Sequence, residues 1–319
     1  MLAAITLIST YYYGLRALIV VLITVASGVL TDIICIKLRG AEVEYTDFSA
    51  AVSMGALALM LPATVPYALA AGAAAFSVIT ARQIFGGKGC EIFSVASVGF
   101  IFVSLSFPDS ILSYTKPFET ALPLASELNI ETVQSLTKTL MLTETSSASF
   151  VDLALARFAS PMGTGHLMVL TVCAVMLILR RSMSAITFTT ALSSYLIYAY
   201  FFSPYGENGV QAIGYELISG MLMFGLIFLG GDYNTAPKTR TSRFLHGLLL
   251  SGLTILFKVV GKVENPIVYA VIIANPISIE MDRSSISFKK YYALHKRRTR
   301  LKKALNNANN SDAEVSADA

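Results

Sequence analysis

The chain has 319 residues, of which 55% are hydrophobic and only 14% charged, against roughly 25% charged in soluble domains. With a mean hydropathy of +0.64, that composition excludes a water-soluble globular protein and identifies an integral membrane protein. The net charge of +4 is no nucleic-acid footprint, because the basic residues sit at segment ends and in one tail.

The stretch from Met1 to Tyr13 is apolar but too short to cross about 30 Å of hydrocarbon at about 1.5 Å per residue. It lacks the basic start and cleavage site of a signal peptide, and reads as the end of a first span whose beginning is missing. Leu15 to Ile36 is a full span closed by Lys37 and Arg39. Ala50 to Leu61 and Tyr67 to Ala81 form a pair around Pro62 and Pro66, and the second ends at Arg82. Gly86-Gly87-Lys88-Gly89 leads into Ile92 to Phe107.

A long loop over 108–162 carries six acids against three bases. Beyond it come Gly163 to Leu179, Ala185 to Phe202, Gly214 to Leu229, Phe244 to Val260 and Pro266 to Ile279. The tail over 282–319 holds nine of the 24 Lys and Arg and ends in a composition that predicts disorder. The expected organisation is thus segments one to five over 1–107, the loop over 108–162, segments six to ten over 163–281, and the tail.

The predicted class is all-α and polytopic, with about ten transmembrane segments. Lys37/Arg39, Arg82/Lys88, Arg180/Arg181, the Lys238–Arg243 loop and the tail fall on one side, which the positive-inside bias makes cytoplasmic. The acidic loop is then external and both termini are cytoplasmic. Five segments entering from inside and five from outside permit an inverted five-plus-five repeat. Short spans interrupted by Pro or Gly predict broken helices, whose freed backbone groups must meet protein, water or ligand.

No catalytic set, metal site or nucleotide fingerprint is present. The histidines (His166, His246, His295) are scattered, and Cys35, Cys90 and Cys173 read as apolar fillers. Ionisable groups in the spans are costly and therefore informative. Asp32 is expected to pair with Lys37, meet a cation, or sit as an interfacial acid. Glu216 and Lys258, near external ends, are expected to snorkel. The nearly unbroken apolar run from Leu217 to Leu229 ends at Gly230-Gly231. A polar loop follows, with Asp232, Thr235 and Thr239 around Pro237, and Lys238, Arg240 and Arg243. It suits a helix mouth meeting a ligand or a neighbouring subunit, and equally an ordinary basic cytoplasmic loop.

The order of motifs resembles the RnfD/NqrB family, membrane flavoprotein subunits of ion-translocating oxidoreductases, and the Rnf member more closely. The likeness is carried by the second span with Asp32, by LALMLPATVPYALAAG and RQIFGGKG, by GGDYNTAPKT with Asp232, Thr235, Pro237 and Thr239, and by VENPIVYAVIIANPISIEMD with Glu264, Asn275 and Asp282. It implies a subunit of an Rnf-type complex that couples ferredoxin:NAD electron transfer to Na⁺ or H⁺ movement in the cell inner membrane, with other membrane and peripheral subunits and the lipid bilayer as partners. It also implies FMN, joined by phosphoester to the Thr of an Asp-x-x-Ser-Gly-Ala-Thr motif. Here the nearest runs end at Thr137 and at Ser149, and neither keeps the full pattern. Thr137, Ser149, Asp232 and Thr235 are the cofactor-binding candidates. Cys90-Glu91-Ile92-Phe93 and Gly165-His166-Leu167-Met168 also depart from the family's pattern. The alternatives are a flavin-less structural or ion-path subunit, and a secondary transporter or channel.

Overall fold

The computed structural model describes residues 1–40, 47–118, 133–143, 158–205, 209–231, 235–285 and 287, and these are mostly helical. The first half holds α1 (Leu2–Tyr13), α2 (Leu15–Leu38), α3 (Ser49–Met60), α4 (Tyr67–Ser77), which widens into a π-turn at Val78–Gln83, and α5 (Val95–Ser106). A connecting region follows, with α6 (Pro108–Ile111), strands β1 (Ser113–Tyr114) and β2 (Val133–Gln134), and α7 (Leu136–Thr143). The strands pair antiparallel, Ser113 opposite Gln134. The second half holds α8 (Leu167–Leu179), α9 (Ala185–Phe202), α10 (Gly209–Ile218), α11 (Leu222–Phe224), which widens into a π-turn at Gly225–Leu229, α12 (Arg240–Val259), and α13 over 266–285.

An apolar helix stands at each of the ten positions read from the sequence. Four stretches are long and apolar enough to cross a membrane by length and composition: Leu15–Leu38, Ala185–Phe202, Gly209–Leu229 and Arg240–Val259. The helices α3, α5 and α8 are apolar but shorter.

Burial is arranged for lipid rather than water. On α2, Leu15, Leu22, Leu30 and Ile34 are all more than half exposed, while Arg16, Thr24 and Asp32 are buried on the opposite face. A soluble protein buries its leucines and exposes its charges; here the outward face is the apolar one. The same outward apolar stripe recurs on α8, with Met168, Val172, Val175 and Leu179. Small residues bring the interior helices together. Gly247 on α12 faces α9, where an added Cβ would stand 2.8 Å from the Thr187 carbonyl oxygen, so only glycine allows this close approach.

The break between α3 and α4 shows how the interior is satisfied. Pro62 and Pro66 stop both helices from running on, and carbonyls are freed between them. Gly163 donates its N–H to Leu59 O at 2.8 Å, and Met162 donates to Leu61 O at 3.2 Å. Arg16, fully buried, donates from Nε to Ala63 O at 2.9 Å and from its guanidinium to Val65 O at 3.3 Å. Its cationic carbon also lies 4.8 Å from the centre of the Tyr67 ring. The break is therefore closed by one cation and by a segment about 100 residues downstream in the sequence.

Arg16→Met keeps the length of this side chain and removes every donor. Two buried carbonyls then lose partners, at about 1–3 kcal/mol each. The expected outcome is a clearly lower midpoint of thermal unfolding in detergent, with a smaller drop for Tyr67→Phe, which removes one 3.4 Å bond from the Arg16 guanidinium. An Arg16→Met chain as heat-stable as the parent would refute this account of the break.

Candidate functional site

The second break falls inside the run that the sequence presented as nearly unbroken. Between α10 and α11, Gly220 (φ 66) and Met221 (φ 57) adopt the left-handed conformation. Met221 is costly there, because an L side chain crowds the following carbonyl. Gly220 cannot carry a side chain for a second reason: an added Cβ would lie 2.9 Å from Cδ of Pro266. The freed Gly220 N–H donates to Thr137 Oγ1 on α7 at 2.8 Å, with Ser219 Oγ 3.4 Å from the same oxygen.

A buried ion pair stands beside this break. Lys258 of α12 donates to Glu216 of α10 and, at 3.2 Å, to Ser219 Oγ. Glu216 also accepts from Tyr195 at 2.7 Å and from Ser203 at 2.9 Å. The Tyr205 ring centre lies 4.9 Å from the ammonium. Glu216 is fully buried and Lys258 nearly so. The snorkelling expected of both is therefore corrected: each finds its counter-ion inside, which removes the need to reach the interface.

Thr137, Ser135, Tyr114, Glu264 and Asn265 line one narrow cleft against Gly220 and Met221. Burial raises the Glu264 carboxyl above the ordinary glutamate range, against the opposing pull of Ser135, Lys138 and Tyr114. Burial, then the charge of Glu264, also pushes the Tyr114 hydroxyl well up. Both groups favour their neutral forms there.

At the end of the fold where α2 and α4 finish, Arg82 in the first π-turn gathers three carboxylates. It lies 3.2 Å from Asp32, 3.1 Å from Asp47 and 3.1 Å from Glu91. Gln83 donates to Asp32 as well, and Lys88 stands 3.7 Å from Asp47. Asp32 thus pairs with Arg82, 50 positions away, rather than with Lys37. Burial raises the Asp47 carboxyl, but hydrogen bonds from Ser49 and the charges of Arg82 and Lys88 hold it below its ordinary range.

Of the four cofactor candidates, Thr137 is buried and its hydroxyl is occupied at the break, whereas a phosphoester needs an accessible hydroxyl with room for a phosphate. Leu136, Leu140, Phe158 and Tyr205 pack as a small apolar cluster beside it. Thr137 in this conformation does not fit a flavin phosphoester. Ser149 and Asp232 lie outside the described residues. Thr235 is buried, and its carbonyl accepts from Ser278 Oγ of α13 at 2.9 Å. Further along that loop, the backbone N–H groups of Lys238 and Thr239 donate to Asp282 of α13, at 2.7 Å and 3.1 Å. Burial would raise the Asp282 carboxyl, but these bonds hold it below its ordinary range. Thr137 and Thr235 do not meet in one site.

Arg16, Arg82 and the Glu216–Lys258 pair are the groups that sequence reasoning under-weighted. The available signal was the cost of a charge in an apolar run; its partner was not readable.

The chain belongs to the NQR2, RnfD, RnfE family, whose profile matches residues 1–287. The RnfD subunit of the ion-translocating oxidoreductase complex of Actinobacillus succinogenes is 26% identical over 302 residues, covering 84% of each chain. The proteins of the same name from Salmonella typhi and Salmonella typhimurium are 24% identical over 309 residues, covering 83% of this chain and 84% of theirs.

Gly220→Ala places a Cβ against Pro266 and strains φ, and Thr137→Val leaves the Gly220 N–H without its acceptor, a loss of about 1–3 kcal/mol. Both are expected to lower the thermal midpoint in detergent, while Thr137→Ser stays near the parent. A Thr137→Val chain with an unchanged midpoint would detach Thr137 from the break.

Glu264→Gln tests the buried carboxyl. Its raised folded pKa means that the folded state binds a proton more tightly than the unfolded chain. Stability is therefore highest below the unfolded glutamate pKa and falls as pH rises through the folded one. The glutamine chain should melt higher than the parent near neutral pH, with the difference shrinking on acidification. A gain that grew in acid would reverse the assignment.

Proposed function

We propose that the chain is a membrane subunit of an Rnf-type ion-translocating oxidoreductase complex, the counterpart of the RnfD proteins. The observation that carries this reading is the match itself. It runs over more than four-fifths of both partners' lengths, so it embraces whole chains rather than a shared apolar segment. The apolar exterior and polar interior agree with a membrane subunit.

In this reading the ten helices make ten crossings, arranged as two sets of five, in the cell inner membrane with both termini cytoplasmic. The orientation follows from the charge bias, and several polar contacts support the division of the connections between two faces. Parts assigned outside by charge meet one another: Tyr13 with Ser160, and Thr64 with Ser113. Parts assigned inside do likewise, as with Arg82 and Glu91, Arg39 and Gln83, and Lys238 and Asp282. The protein moves Na⁺ or H⁺ only as part of the complex, in company with other membrane and peripheral subunits.

FMN, the cofactor implied by the family, supplies electron transfer when bound. Thr137 does not hold it in this reading; its part is to close the helix break. Ser149 is the other hydroxyl that the resemblance offers.

The test is purification of the tagged chain from a host that carries the whole complex, followed by ultraviolet fluorescence of the denatured band. Other subunits of the complex should co-purify; a chain recovered alone from intact membranes would undo the subunit reading. Thr137→Val is expected to leave in-gel fluorescence at the level of the unsubstituted chain. A fluorescent parent that turned dark in Thr137→Val would return the flavin to Thr137.

A further inference from the structure

A cavity of about 580 Å³ opens between the α8–α9 turn and the loop that precedes α12, within the size range of small-molecule sites. Four cations line it: Arg181, Lys238, Arg240 and Arg243. Among the described lining residues there is no carboxylate. Asp282, which meets the same loop, already accepts two of its backbone N–H groups.

The cations are held there by local structure. Arg181 has φ 56, a left-handed residue that ends α8, and its N–H donates to Ile178 O at 3.0 Å. Arg243 Nε donates to Pro237 O at 2.9 Å, which occupies one of five guanidinium donors. Two long helices begin at the rim: α9 with Ser184 at its N-cap and α12 with Thr239 at its N-cap. Helix N-termini add positive potential to that of the side chains. With no acid among the described lining residues, the positive potential of this wall is left for an entering anion. The remaining wall is apolar, with Ile178, Met183 and Ile186.

We propose that this cavity binds a phosphate-bearing ligand, the phosphate held by the four cations and its apolar portion laid against Ile178 and Met183. Arginine suits phosphate because its planar donors engage two oxygens at once. The same chemistry could come from an anionic phospholipid headgroup or from a soluble phosphate compound. The inference stands on the cavity alone and does not rest on the electron-transfer reading.

The test uses the full chain in nanodiscs of phosphatidylcholine and follows its thermal midpoint. One arm adds inorganic pyrophosphate, with chloride matched for ionic strength; the other replaces part of the lipid with phosphatidylglycerol. A ligand that binds only the folded chain raises the midpoint. A rise in the first arm assigns a soluble phosphate compound; a rise in the second alone assigns a lipid headgroup. In either case Arg181→Gln/Arg240→Gln should abolish the rise, and Arg180→Gln, outside the cavity, should keep it. Should the double variant fail to fold, Arg240→Gln alone, at an exposed position, should weaken the apparent affinity by about tenfold, the loss of one charge-assisted bond. No rise in either arm, or an equal rise in the cavity variants, overturns the proposal.

Discussion

A peptide group freed where a helix stops inside an apolar bundle has no water to turn to, and the fold depends on meeting that demand. Each unsatisfied group costs several kcal/mol in such surroundings. The break between α3 and α4 is met by Arg16 and by the backbone of Met162 and Gly163. The break between α10 and α11 is met by Thr137, with Lys258 and Glu216 beside it. In both places a cation from a neighbouring helix stands at the interruption. The solution repeats in the two halves, although no sequence likeness between them is visible.

The connecting region acquires a structural role from this constraint. Its pieces around Thr137 and around 160–164 reach the breaks in opposite halves, while Ser9 and Tyr13 of α1 donate to Met162 O and Ser160 O. A segment that sequence composition presents as an external loop is therefore part of what lets the interrupted helices exist. The Glu216–Lys258 pair follows the same logic. Removing one partner of a buried pair commonly costs about 3–5 kcal/mol, because the other is left charged and dry. The pair's own net gain is modest, so its value lies in fixing α10 against α12 next to the interruption.

Helix positions were legible in the sequence because apolar runs ended by Arg39, Arg82 and Arg180 have one physical meaning. That the chain leaves the helix between α3 and α4 was also readable, from Pro62 and Pro66. The second break was not: Ser219-Gly220-Met221 is apolar or small throughout, and only the contact with Thr137, over 80 positions away, makes an interruption there tolerable. Charge partners were illegible for the same reason. Asp32 has a plausible neighbour in Lys37, yet Arg82 is delivered to it by packing of α2 against the π-turn after α4. For Thr137 the contact with Gly220 N–H was not readable, since a motif records order along the chain and not which groups a hydroxyl meets. Asp232 and Ser149, two of the four site candidates, lie outside the described residues.

The distribution of cations divides the protein into two electrostatic regimes. Arg16, Arg82 and Lys258 are buried, and each has carbonyls or carboxylates within hydrogen-bonding distance. Burial makes compensation obligatory there, and compensation makes those groups structural. Arg181, Lys238 and Arg240 are exposed around a cavity whose described lining offers no acid. Water tolerates that arrangement at little cost, since exposed charges interact weakly. It is also a field that remains available to anything anionic that enters. Balanced charge inside therefore marks what holds the helices together, and unbalanced charge at the mouth marks where the molecule can still bind.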